Sequence, residues 1–293
     1  MSNTRHYSFL PDRAVIAISG EDARSFLQGI ITNDIYKVSE NTAVFAAILS
    51  PQGRFLHDFF IIESQEKLFL ETEKSSLPDL LKRLKMYKLR SNVEIEERPE
   101  LKVGVTFSLK GGEYSSPSSL TLTPSEEVVV ENSSAYPRNS FTYQDPRHSE
   151  LGTRIIGENL PIESTGDYDL HRLKLAIPEG SKDLIVNRSL PVEWAYEKLH
   201  GVDFNKGCYV GQEVTARSVH RASLHKYIHS VKANSKLPPA GTKIMAGEKE
   251  AGIIASSHSN IGLALLNMEA VANSKELLCE SVSMSAEIPT WAK

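Results

Sequence analysis

Apolar positions along the chain switch between two-residue and helical spacing from the first segment onward. Ala14 to Ile18 is apolar and β-rich, which predicts a strand. Ser19 then opens a Ser-x-x-Asp cap with Asp22, and Ala23, Phe26, Leu27, Ile30 and Ile31 form the stripe of an amphipathic helix. Val44 to Leu49 and Phe55 to Ile62 are apolar runs joined by Ser50-Pro51-Gln52-Gly53, which is turn chemistry for a hairpin. A short strand at Leu68 to Leu70 leads into a second helix. There Ser76 is the cap, Pro78 sits in the first turn, and Leu77, Leu80, Leu81, Leu84 and Tyr87 make the apolar stripe. Ser108 to Ser119 is rich in Gly and Ser and predicts a loop. Helices are expected around Leu170, Leu173 and Ile177, stopped by Pro178, and from Val192 to Leu199. Beyond His225, short runs broken by Pro238, Pro239, Gly241, Gly247, Gly252 and Gly262 predict a small β-barrel.

Composition narrows the class without naming a function. At 293 residues, 40% hydrophobic and 24% charged, the chain has the mix of an ordinary globular protein of two or three domains. A net charge of −4 argues against whole-surface attraction to nucleic acid or anionic lipid, although it leaves room for a local basic patch. Lys82, Arg83, Lys85, Lys88 and Arg90 are such a cluster; they could draw an anionic ligand or simply complement a helix dipole. No apolar run is long enough to span a membrane, and Met1 to Leu10 lacks the apolar stretch of a secretory signal, so a cytoplasmic protein with no membrane partner and no direct nucleic-acid partner is expected. The two cysteines, Cys208 and Cys279, have no zinc spacing and cannot make a four-cysteine cluster site. His220, His225 and His229 are read as surface or core residues, and no metal is expected.

The segment richest in chemistry is Lys206-Gly207-Cys208-Tyr209-Val210-Gly211-Gln212-Glu213. A thiol near an ammonium and just before a helix start at Gly211 would favour thiolate, making Cys208 a nucleophile or metal ligand, with Lys206 as its activating charge. A buried, inert cysteine is the alternative. Gly207 and Gly211 allow a tight turn, and Glu213 either orients the loop or is a first-turn acid. Cys279, between Leu278 and Glu280 in an apolar stretch, reads as barrel core.

This octapeptide resembles the signature of the YgfZ family, folate-binding relatives of the glycine-cleavage T-protein, in the branch that contains the mitochondrial iron-sulfur assembly factor. Gly20 to Gly29 with Thr32-Asn33-Asp34, Gln52-Gly53-Arg54, Asp145-Pro146-Arg147, His171-Arg172-Leu173, Ile177 to Gly180, Pro191-Val192-Glu193 and Ala251 to Ser257 also follow the family's order. The resemblance implies an α+β fold, a three-domain ring of the T-protein type with a C-terminal β-barrel. Its domains would be residues 1–43 with 98–224, carrying the cysteine motif, an inserted domain at 44–97, and a barrel at 225–293. It implies tetrahydrofolate in a central hole, with Arg13, Asn33, Asp58 and Arg172 as candidate contacts. Iron-sulfur carriers or client enzymes, including tRNA-modifying ones, would be partners in assembly or repair of clusters, with transient cluster contact at Cys208. Where T-proteins carry a pair of aspartates after the hairpin turn, this chain has His57-Asp58, so folate-dependent aminomethyl or methyl transfer is the alternative function rather than the first.

Overall fold

The computed structural model describes residues 4–109, 140–220, 224–274 and 276–293. Along the chain come β1 (Thr4–Phe9), β2 (Arg13–Ser19), α1 (Ala23–Gln28), β3 (Val44–Leu49), β4 (Phe55–Ser64), β5 (Lys67–Glu73), α2 (Leu77–Lys88) and β6 (Glu94–Glu97). Next are β7 (Lys102–Leu109), β8 (Phe141–Gln144), β9 (Thr153–Gly157), α3 (Tyr168–Lys174), α4 (Gly180–Asp183) and α5 (Gln212–His220). Last come β10 (Lys226–Ala233), β11 (Lys243–Ala246), β12 (Lys249–His258), β13 (Ile261–Asn267), α6 (Met268–Asn273), β14 (Leu277–Cys279) and β15 (Val282–Glu287). The part of the expected Ser108–Ser119 loop beyond residue 109 lies outside the described residues.

Three sheets organise these elements. One has the order β1-β7-β9-β8, a second the order β3-β4-β5-β2-β6, and β10 to β15 close into a barrel. The expected division at residues 44 and 97 does not coincide with the second sheet, because β2 lies inside it between β5 and β6. Burial explains the placement. Val15 and Ala17 enter one core and Ile16 and Ile18 the other, and a strand apolar on both faces belongs in a sheet interior. The first of those cores joins the second sheet to Trp194, Tyr196 and the barrel residues Ile228 and Leu263. The other core lies under α1 and α2.

α1 and α3 are shorter than their apolar stripes predict, whereas α2 spans its whole stripe. α1 stops at Gln28, and Ile30 and Ile31 are buried beyond its end. α3 ends at Lys174, before Ile177, and Ala176 adopts φ +57. Val192 to Leu199 is not an α-helix: a 3-10 turn at Pro191–Trp194 is broken by Ala195 at φ +55, which lets Trp194 and Tyr196 both enter the core. The hairpin turn between β3 and β4 uses Gly53 at φ +70, a left-handed conformation suited to glycine.

Candidate functional site

The loop before α5 is tied to the end of α1 by side chains that sequence spacing did not connect. Thr32 donates to the Gly201 carbonyl at 2.6 Å, and Asn33 donates to the carbonyls of Phe45 at 2.8 Å and His200 at 2.7 Å. Asp203 pairs with Lys37 at 2.7 Å. Lys206 completes the clamp: its ammonium donates to the carbonyls of Gln28, Ile31 and Asn33 at 2.7, 2.6 and 2.9 Å and lies 5.1 Å from the Tyr209 ring centroid. All three of its N–H bonds are thereby used. These bonds give Lys206 a role the sequence did not show: it is the anchor of the loop, beyond the activating charge expected of it. Burial draws its pKa down to about 8, with Asp34 and Asp203 pulling the other way, so ammonium remains its main form at pH 7.

Cys208 itself is exposed, whereas Cys279 is fully buried in the barrel. Gly207 faces open space, so its small size is not demanded by packing. Tyr209 turns inward, and burial pushes its hydroxyl pKa up to about 12. Gly211 adopts φ +85, and a Cβ there would come 2.6 Å from the Ser50 carbonyl oxygen. The hairpin turn returns the contact: a Cβ on Gly53 would lie 3.0 Å from Val214. Gln212 starts α5, and Glu213 is exposed in its first turn. Thus the Gln52-Gly53-Arg54 turn supports the cysteine loop from below. Gly211→Ala is expected to cost about 2 kcal/mol through the left-handed backbone and the close carbonyl together, measured by urea denaturation. A stability unchanged from wild type would contradict this packing.

His57 and Asp58 part company. The His57 ring lies at 2.8 Å from Asp79 of α2, on the helix-covered side of the sheet. Asp58 faces the other way and accepts from the Tyr196 hydroxyl at 2.8 Å. Burial raises the Asp58 pKa, against the pull of Arg13 and Tyr196. Around it lies a buried set of charges whose pairing the motifs did not announce. Arg13 donates to Glu71 at 2.9 Å, and Glu71 also takes Arg154 and Tyr143. Asp145 holds Arg147 at 2.8 Å and Arg154 at 3.0 Å. Arg172 donates to Asp183 and Asp169, both at 2.7 Å, and Glu179 stands 3.7 Å from both Arg13 and Arg172. Glu71 and Arg154, which no motif named, carry a sequence signal of their own in their polar intrusion into apolar strands.

The candidate folate contacts already have partners within the chain. Asn33 spends its amide on two carbonyls and accepts from the Asp34 amide, Arg13 and Arg172 are each matched to carboxylates, and Asp58 is occupied by Tyr196. Asn33 thereby has no amide hydrogen left for a pterin, whereas Arg13 keeps its Nη1 edge, 3.7 Å from Glu179, and Asp58 keeps its Oδ1 oxygen, so the set fits the group only in part. The network also fixes an acid response. Burial pushes the Asp145 pKa up, but Arg147 and Arg154 outweigh it and hold the carboxyl at about 2, below its ordinary 3.8. Glu179 is likewise held low, by Arg13 and Arg172 against burial. A depressed folded-state pKa gives stability that is present above the unfolded value and lost as pH falls through the folded one. Asp58 acts in the opposite sense. Stability is therefore expected to fall by about 2 kcal/mol through Asp145 alone as pH drops from about 4 toward about 2. Equilibrium urea melts across that range check it, and a flat profile would contradict the ion pairing.

Comparison with known proteins places the chain. Residues 226–293 match the family described as CAF17, C-terminal beta-barrel domain. The chain is similar to the mouse iron-sulfur cluster assembly factor IBA57, mitochondrial, at 31% identity over 96% of this chain and 84% of that protein. The human protein of the same name gives 30% identity with the same coverage, and the Neosartorya fischeri homologue 31% over 90% of this chain and 70% of its own length. A crystal structure of the glycine cleavage system aminomethyltransferase T from Bartonella henselae covers 98% of this chain, and the chain covers 86% of it, with a TM-score of 0.73 and 13% identity, which establishes the T-protein fold. The cytoplasmic expectation is corrected, since these IBA57 relatives are mitochondrial by name and composition alone cannot separate the two compartments. With that identity sustained over nearly its whole length, the chain belongs to the family of the iron-sulfur cluster assembly factor IBA57.

Proposed function

We propose that this protein supports the assembly or repair of iron-sulfur clusters in client enzymes, with Cys208 as the group that meets a cluster, a sulfur species or a partner protein. The observation that carries the reading is the exposed Cys208 on a loop held rigidly from behind by Lys206, Thr32 and Asn33. Exposed Tyr36 and Phe204 lie next in sequence to the bridged residues Lys37 and Asp203, giving a carrier protein apolar surface beside that loop. Kinship with the YgfZ branch belongs to the same reading and rests on the octapeptide from Lys206 to Glu213. The test is growth of a strain lacking its own family member, with the wild-type chain expected to restore cluster-dependent enzymes; no rescue from well-expressed protein would sink the reading.

Tetrahydrofolate is given no chemical step in this proposal. Its carboxylates would compete with Glu71 and Asp183, which already pair Arg13 and Arg172. We expect calorimetric titration to find affinity weaker than about 1 μM. Tight binding that disappears in Arg172→Ala would restore folate as a resident ligand. Aminomethyl transfer receives no support from a carboxylate and a histidine on opposite faces of β4.

A further inference from the structure

Helix α2 carries a face that the folding core does not use. Leu77, Leu80 and Leu84 are buried against the sheet, and Lys82, Lys85 and Met86, spaced i, i+3, i+4, form the opposite, exposed stripe. Met86 is 56% exposed, and Leu89, just past the helix end, is 86% exposed at φ +47. Exposed Arg90 follows. Arg83 is taken by Asp79 at 2.6 Å, but Lys82, Lys85, Lys88 and Arg90 have no ion-pair partner among the described residues. Complementing the helix dipole accounts for Lys85 and Lys88 in the last turn. It does not account for two large apolar side chains held in water between cations.

We propose that this face docks the protein on an anionic membrane surface. Exposed Lys82, Lys85 and Arg90 meet headgroup phosphates, and Met86 and Leu89 enter the boundary between headgroups and acyl chains. On a chain of net charge −4 the patch is local, so it also orients the molecule. Asp22 lines a shallow cleft with Leu89, Arg90 and Ser91, but its carboxylate already accepts from the Asn92 amide at 2.7 Å. Glu94, Glu96 and Glu97 lie on the neighbouring β6, where Glu96 faces Lys67. An RNA would use the cations and leave Met86 and Leu89 in water; a lipid surface uses both. No described helix is long and apolar enough to cross a membrane, and docking of this kind needs none.

The test is sedimentation of the full chain with vesicles of phosphatidylcholine mixed with phosphatidylglycerol, with vesicles of phosphatidylcholine alone, and a parallel gel shift with unstructured RNA. Binding to the mixed vesicles and little to phosphatidylcholine is expected, weakening as salt rises. Each lost cation should lower vesicle affinity roughly fivefold, so Lys82→Glu with Lys85→Glu should lower it by more than about twentyfold. Met86→Ser with Leu89→Ser should lower it several-fold without touching the salt dependence. These positions are exposed, and thermal melting checks that each variant folds. Equal binding to both vesicle types, no vesicle binding, RNA binding in its place, or serine variants that bind like wild type would each overturn the proposal.

Discussion

Cys208→Ala is expected to abolish rescue of a strain lacking its own family member, while Cys279→Ala leaves rescue intact. The exposed Cys208 thiol contributes nothing to the core, and the loop that bears it is held by Thr32, Asn33 and Lys206. Removing the sulfur therefore leaves the fold standing and takes away only its chemistry. A loss of function with an unchanged melting temperature would separate a chemical role from a structural one. Cys279 is the internal control. It is fully buried, and burial raises its pKa, so it behaves as a small apolar side chain whose truncation costs about 1 kcal/mol. Growth and the activity of a cluster-containing enzyme are the readouts. Full rescue by Cys208→Ala would remove the thiol from the mechanism.

Lys206→Met is expected to lower stability by about 3–5 kcal/mol, because three carbonyls lose their donor at about 1–3 kcal/mol each. Methionine keeps an apolar stem of similar length against Tyr209, so the loss reports the ammonium rather than packing. Three carbonyls, of Gln28, Ile31 and Asn33, would be left facing a group that cannot donate. Urea denaturation gives the stability, and iodoacetamide labelling of Cys208 followed by mass spectrometry reports loop order in the same sample. A cost below about 1 kcal/mol would show that water replaces the ammonium at those carbonyls. Rescue in the growth assay should fall with Lys206→Met through loosening of the loop, and partial return in Lys206→Arg would mark the role as anchoring.

Some of the site was legible before any coordinates. The octapeptide, the Thr32-Asn33 pair and the Gln52-Gly53-Arg54 turn were singled out separately by motif, and they meet around one loop. The buried charges were not legible as a network. Glu71 and Arg154 are 83 residues apart and Asp58 and Tyr196 are 138 apart, so no local pattern announces that they pair.

By itself the sequence determined the hairpin at Val44 to Ile62, the apolar stripe of α2, the barrel tail and the place of the cysteine loop, because period and turn chemistry act within a few residues. Tertiary structure alone decided that β2 joins the second sheet and that Val192 to Leu199 gives up its helix. It also decided the use of Lys206. A lysine beside a cysteine reads as an activating charge, but carbonyls 173 to 178 residues upstream claim its ammonium, because an unpaired buried donor or acceptor costs more than a nearby thiol could return.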